Sequence, residues 1–176
     1  MLITLIGYRG TGKTSVAQAL AERLGWAWLD ADVLLVERAG KSIAEIFATQ
    51  GEAAFRDLES SLLRELMSRK NTVLATGGGI VIRPENRDLL KTLNPVIWLT
   101  ATPETIQARL EADVKTTANR PALTSLPAAE EIRALLELRG PWYTEVATLK
   151  VSTDDKSTDA ITHEILTALQ LDRGTA

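Results

Sequence analysis

The 176-residue chain contains no cysteine, which excludes a disulfide framework, a cysteine-ligated zinc site and a cysteine nucleophile together. Histidine is almost as scarce. The single one, His163, lies in a C-terminal stretch of helical spacing and is assigned no catalytic role. A basic excess is also missing: the net charge is -3, so there is no polybasic footprint for nucleic acid and a small-molecule partner is expected. No run approaches the ~18 apolar residues of a membrane span. The opening MLITLIG is too short for a secretory core and has no basic flank. A soluble cytoplasmic monomer without a membrane partner is the expectation.

What is present is ordinary for a globular protein, with 45% apolar and 24% charged residues. A chain of this length suits one domain, residues 1–176, large enough to bury roughly 70% of its unfolded surface without staples. Short β-rich runs alternate with longer stretches of helical period, the signature of βαβ units and a parallel sheet. Strands are expected at Leu2–Ile6, Ala27–Leu29, Thr72–Ala75, Val96–Leu99 and Thr148–Val151. Helices are expected at Lys13–Leu24, Asp32–Ala39, Ser42–Thr49, Gly51–Arg69, Pro84–Leu93, Pro103–Ala112, Pro127–Arg139 and Thr158–Leu169. Ser42 with Glu45 predicts a capping box, while Pro84 and Pro103 suit first helical positions. The fold class is a three-layer α/β/α domain. The polar stretch Asp113–Ser125 lacks a clear period and reads as a lid.

Gly7-Tyr8-Arg9-Gly10-Thr11-Gly12-Lys13-Thr14 matches G-x-x-x-x-G-K-[ST] and falls between an expected strand and an expected helix. Phosphate oxygens must be met by several backbone N–H groups at once, so the loop needs positive φ and no Cβ where approach is closest. The helix beginning near Lys13 aims its positive end at the anion, Lys13 reaches the β/γ-phosphates, and the Thr14 hydroxyl suits Mg²⁺. The alternative is a glycine turn with a solvated lysine. A phosphate loop alone does not separate switch GTPases, motors, binding modules and kinases. The GTPase strings D-x-x-G and N-K-x-D occur nowhere in the chain.

Two further strings point to phosphoryl transfer. In WLDADVLL, Asp30 and Asp32 are two apart, so both carboxylates lie on one side while the chain stays extended, beyond the carboxyl end of a strand where ligands of open α/β sheets sit. One can support a metal's water shell while the other accepts a proton. The competing reading makes Asp32 a helix N-cap and leaves Asp30 solvated. In LATGGGIV, three consecutive glycines, Gly77–Gly79, follow a buried strand. Either a ligand touches that backbone or the strand has a tight exit.

Taken together, GYRGTGKT, LDADVLL, SIAEIF, GEAAFRDLE, TGGGIV, NRPAL and Arg139-x-x-x-Tyr143-x-x-x-Ala147, in that order, resemble the shikimate kinase family over nearly the whole chain. The resemblance implies a fold like that of nucleoside monophosphate kinases, with a five-stranded parallel sheet, a short lid at about residues 112–125 and a helical substrate-binding region at about 31–60. The implied activity is ATP-dependent phosphorylation of shikimate at its 3-hydroxyl with Mg²⁺, a step toward aromatic amino acids.

The phosphate-binding set would be Gly10, Thr11, Gly12, Lys13, Thr14 and Ser15, with Lys13 also catalytic. Asp32 would hold the shikimate hydroxyls and act as base. Asp30, with Thr14, would support Mg²⁺, Asp30 through water. Arg56 and Arg139 would bind the substrate carboxylate, with Glu59 orienting Arg56. Gly78 and Gly79 would offer backbone contacts. Arg120 would close over the γ-phosphate, and Arg109 would lie near the adenine. Spacing alone reads these arginines otherwise: Arg56 pairs with Glu52, Arg139 sits in the last turn of a helix and Arg109 faces Asp113. The segment between Arg109 and Arg120 is a few residues longer than in many members. A kinase of another polyol acid such as gluconate, and a silent nucleotide-binding module, are the alternatives.

Overall fold

The computed structural model describes residues 1–113 and 127–171. In chain order these form β1 (Leu2–Ile6), α1 (Lys13–Leu24), β2 (Ala27–Asp30), α2 (Ala31–Ala39), α3 (Ile43–Leu66), β3 (Thr72–Ala75), α4 (Pro84–Lys91), β4 (Val96–Thr100), α5 (Pro103–Ala112), α6 (Ala128–Val146), β5 (Leu149–Ser152) and α7 (Thr158–Ala168). The strands make one all-parallel sheet in the order β2-β3-β1-β4-β5. Both faces of it are covered. Ile3, Leu5, Val73, Ile97 and Leu99 point to one layer with α1 and α7, while Leu2, Ile6, Leu74 and Val96 meet α3 and α6 on the other. That two-sided burial is why the central strands read as continuous apolar runs.

The strand order positions the site. Because β2, β3 and β1 are neighbours, with Asp30 beside Ala75 and Ala75 beside Leu5, the segments that leave their carboxyl ends emerge side by side. Those segments are the acidic pair, the triple glycine and the phosphate loop. Sequence positions 7, 30 and 77 become one rim.

The local signals hold at most helix starts. Ser42 and Glu45 form the predicted capping box, and Pro84 and Pro103 sit in the first turns of α4 and α5. The expected break at Gly51 is present as a kink inside α3, where Gly51 adopts φ 83° and ψ 168°, a conformation costly for any residue with a Cβ. The two helices expected there are the arms of one bent element. One boundary is corrected. The helix expected to stop at Arg139 continues through Gly140 and Pro141 to Val146. An internal proline costs about 3 kcal/mol. Burying Tyr143 and Val146, both in the core beneath the sheet, returns roughly 1.5–3 kcal/mol each, so tertiary packing carries the helix past its breaker. Among the described residues no helix is long and apolar enough to cross a membrane.

Candidate active site

Two adjoining clefts open at that rim. The larger, about 810 Å³, is built on the phosphate loop and the start of α1. Gly12 caps α1 at φ 85°, which turns the loop into the helix without a side chain in the way. Gly7 is closed in as well, since a Cβ there would strike the Leu99 carbonyl. The Lys13 ammonium donates to the Gly7 and Tyr8 carbonyls at 2.9 and 2.8 Å, holding the lysine across its own loop. Gly10, Gly12, Lys13, Thr14 and Ser15 line this cleft as expected. Thr11 does not: its hydroxyl turns inward to the Tyr8 carbonyl at 2.8 Å.

Of the two sequence readings of the acidic pair, the helix-cap one is corrected. Asp30, not Asp32, is the N-cap of α2: its Oδ1 accepts from the Asp32 and Val33 N–H groups at 3.0 and 3.3 Å. Its Oδ2 accepts from the Thr14 hydroxyl at 2.7 Å. The cap therefore fixes the carboxylate beside the phosphate loop. Thr14 and Asp30 make an all-oxygen pair, the donor chemistry that suits a hard divalent cation also held by phosphates and water. Among the described residues no cluster of three or more His, Asp or Glu forms a cage. Arg109 also lines this cleft, with its guanidinium on the Thr153 hydroxyl and carbonyl at 2.9 and 2.8 Å and on the Gly10 carbonyl at 3.3 Å, rather than on Asp113.

The second cleft, about 500 Å³, brings together α3, the triple glycine and α6. Phe47 and Phe55 give it an apolar wall, and its charges are buried: Arg56 is 6% exposed, Glu59 4% and Arg139 4%. Buried ions cost several kcal/mol each unless paired, and the pairing follows from helix spacing. Arg56 donates to Glu59, three residues on, at 2.8 Å and twice to Glu52, four residues back, at 3.0 and 3.2 Å. The predicted orientation by Glu59 and the competing pair with Glu52 are both present. Burial raises the Glu59 carboxyl above the ordinary glutamate range, with Arg56 pulling the other way.

Glycines here answer to side chains. A Cβ on Gly79 would strike the Arg56 guanidinium, and one on Gly77 would lie 2.7 Å from Asp32 Oδ1 and 2.9 Å from Glu59 Oε1. The Gly78 carbonyl accepts from Arg139 at 3.2 Å and from the Tyr143 hydroxyl at 2.5 Å. Tyr143, which the sequence leaves without a role, thus supports the acceptor wall; burial pushes its phenol well up, keeping it a donor. Its sequence signal is the Arg139-x-x-x-Tyr143 spacing, which becomes one helix face because α6 runs past Arg139. Tyr8 Oη, Arg9 Nε, Glu59 Oε1 and Arg139 Nε are buried with no hydrogen-bond partner among the described residues, and all four residues line this cleft. Buried polar groups are nearly always satisfied, so four on one wall describe a site for a polar ligand.

Asp32 and Arg9 line both clefts. Asp32 stands between the phosphate loop and the arginine-lined wall. Arg9 escapes a reading of the sequence because the motif leaves its position unspecified. Arg120 and nearly all of the expected lid lie outside the described residues.

A phosphate loop on a parallel sheet, opening onto a second cleft that offers guanidinium groups to an anion, defines a P-loop small-molecule kinase. The shikimate kinase family model matches residues 9–170. A shikimate kinase of Enterococcus faecalis is 45% identical over 168 residues, covering 96% of this chain and 98% of that one. The solved structure of the shikimate kinase from Acinetobacter baumannii in complex with shikimate superposes with a TM-score of 0.89 at 36% identity, covering 98% of this chain and 94% of that one. A gluconokinase from Sinorhizobium meliloti shares the fold at a TM-score of 0.58 and 20% identity. The chain belongs to the shikimate kinase family.

Proposed function

We infer that this enzyme, an ATP-dependent shikimate kinase, moves the γ-phosphoryl group of ATP in line to the 3-hydroxyl of shikimate, giving shikimate 3-phosphate and ADP on the route to chorismate and aromatic amino acids. Asp32 takes the hydroxyl proton as the new O–P bond forms and the bond from the γ-phosphorus to the β,γ-bridging oxygen breaks. Lys13, with Arg120 from the lid, offsets the charge that develops on the equatorial oxygens. Gly10, Gly12, Thr14 and Ser15 surround the phosphates, and Thr11, its hydroxyl turned inward, serves that loop through its backbone. Arg109 flanks the adenine side. Mg²⁺, held by Thr14 and through water by Asp30, would neutralise charge on the β- and γ-phosphates.

The carboxylate of the substrate meets two planar guanidinium forks, Arg56 and Arg139, which set its orientation as well as offset its charge. Gly78 and Gly79 bring backbone against the ring because nothing protrudes from them. Residues 1–176 act as one domain of a cytoplasmic monomer, an assignment that a dimer mass in light scattering would overturn.

The observation that carries this reading is the position of Asp32 on both clefts at once, with phosphate-loop residues on one side and Arg56 and Arg139 on the other. ADP release measured with ATP, Mg²⁺ and either shikimate or gluconate tests it. Turnover with shikimate is expected; turnover with gluconate and none with shikimate would overturn it.

A further inference from the structure

Among the described residues four arginines face the two clefts, and three of them are confined to one. Arg56 and Arg139 line only the acceptor cleft and Arg109 only the nucleotide cleft. Arg9 lines both. Its backbone belongs to the phosphate loop, so the side chain starts from the segment that holds the nucleotide's phosphates. Its guanidinium is anchored: Nη2 donates at 2.5 Å to the carboxylate of Glu131, a 2%-exposed residue in the first turn of α6. The anchor uses one nitrogen of the fork. Nε is buried and has no hydrogen-bond partner among the described residues. Arg9 and Arg139 also flank the same Tyr8 ring, their guanidinium carbons 5.8 and 5.9 Å from its centroid, so the Arg9 charge sits beside the acceptor wall rather than in solvent.

We propose that Arg9 is a further catalytic residue of the transfer: its anchored guanidinium contacts the phosphoryl group as it passes from the nucleotide cleft to the acceptor cleft, and then holds it on the product. This rests on the shikimate kinase reading of the site. A planar fork with one edge fixed to a buried carboxylate presents its remaining N–H groups in a set direction, which is what a group carrying charge on three oxygens requires. A mere tether between the phosphate loop and α6 would use the same Glu131 contact, but would not discriminate between acceptor and product.

Shikimate and shikimate 3-phosphate differ by the transferred group alone, so their separate affinities isolate the contact. Calorimetric titration of the full chain with each compound, for the wild type, Arg9→Met, Arg9→Lys and Glu131→Gln, provides the test. In Arg9→Met, affinity for shikimate 3-phosphate is expected to fall about tenfold or more and kcat by a similar factor, while shikimate affinity stays within about twofold. Arg9→Lys, which keeps the charge and loses the fork, restores part of the product affinity; should the methionine variant not fold, the lysine variant still separates product from acceptor, with a smaller loss for the product alone. Glu131→Gln lowers product affinity in the same direction by less. Unchanged affinities, equal losses for both compounds, or a loss confined to shikimate would each overturn the proposal. A wild-type chain that binds and phosphorylates no shikimate would instead sink the functional reading, and this proposal with it.

Discussion

The nucleotide cleft and the acceptor cleft share a rim but are built by opposite means. The first takes half of its lining from one short stretch, Arg9–Ser15, whose working parts are backbone groups, a helix end and one lysine. The second is assembled from α3, the segment after β3 and α6, and its working parts are buried side chains that hold one another in place. A backbone site does not depend on the side chains at its unspecified positions to hold the phosphates. A convergent site depends on partners far apart in the chain, so a small change at one wall propagates to the others.

Each cleft can be broken separately. Replacing Lys13 by Met removes the cation of the phosphate loop and should lower kcat about 10³-fold or more while shikimate affinity is kept, which steady-state kinetics and titration with shikimate would check. Gly79→Ala attacks only the acceptor side, because the new methyl displaces a guanidinium already tied to Glu52 and Glu59. The KM for shikimate should rise roughly tenfold with the KM for ATP unchanged, a loss worth about 1.4 kcal/mol. Equal movement of both constants would show that the clefts are not separable in this way.

The smallest effect concerns pH. Glu59 has a folded pKa raised by burial, so between the ordinary glutamate value and the folded one the native state binds more protons than the unfolded state. Stability contributed by this group is therefore present at low pH and lost as pH rises through the folded value. Relative to Glu59→Gln, the wild type should lose stability progressively as pH rises from the ordinary glutamate range. Urea melts of both proteins across that range would show a falling difference; a rising one would mean that the Arg56 pair outweighs burial.

The contrast also explains what can be read without coordinates. The phosphate loop, Arg9 and Thr11 aside, is legible because its physics is local: spacing, glycine freedom and a helix start. Strand positions are legible because a sheet covered on both faces demands apolar runs. Helix ends are harder wherever distant packing outweighs a local breaker, as at Pro141, where Tyr143 and Val146 hold the helix together. The acidic pair stands out in the sequence, yet its division of roles does not: only the fold shows that Asp30 caps α2 and leaves Asp32 at the junction. Arg9 and its Glu131 anchor have no local signature, since they lie 122 residues apart; Tyr143 shows a local spacing from Arg139, but the carbonyl it supports is 65 residues away.

The central claim is that Asp32 serves the chemistry at the meeting point of the clefts and not the binding of ATP. Asp32→Asn keeps the shape and removes the base, so turnover and ATP affinity measured on the same preparation separate the two. The expected result is a kcat lower by about 10³-fold with an ATP affinity within about twofold of wild type. Near-normal turnover in that variant would contradict the account.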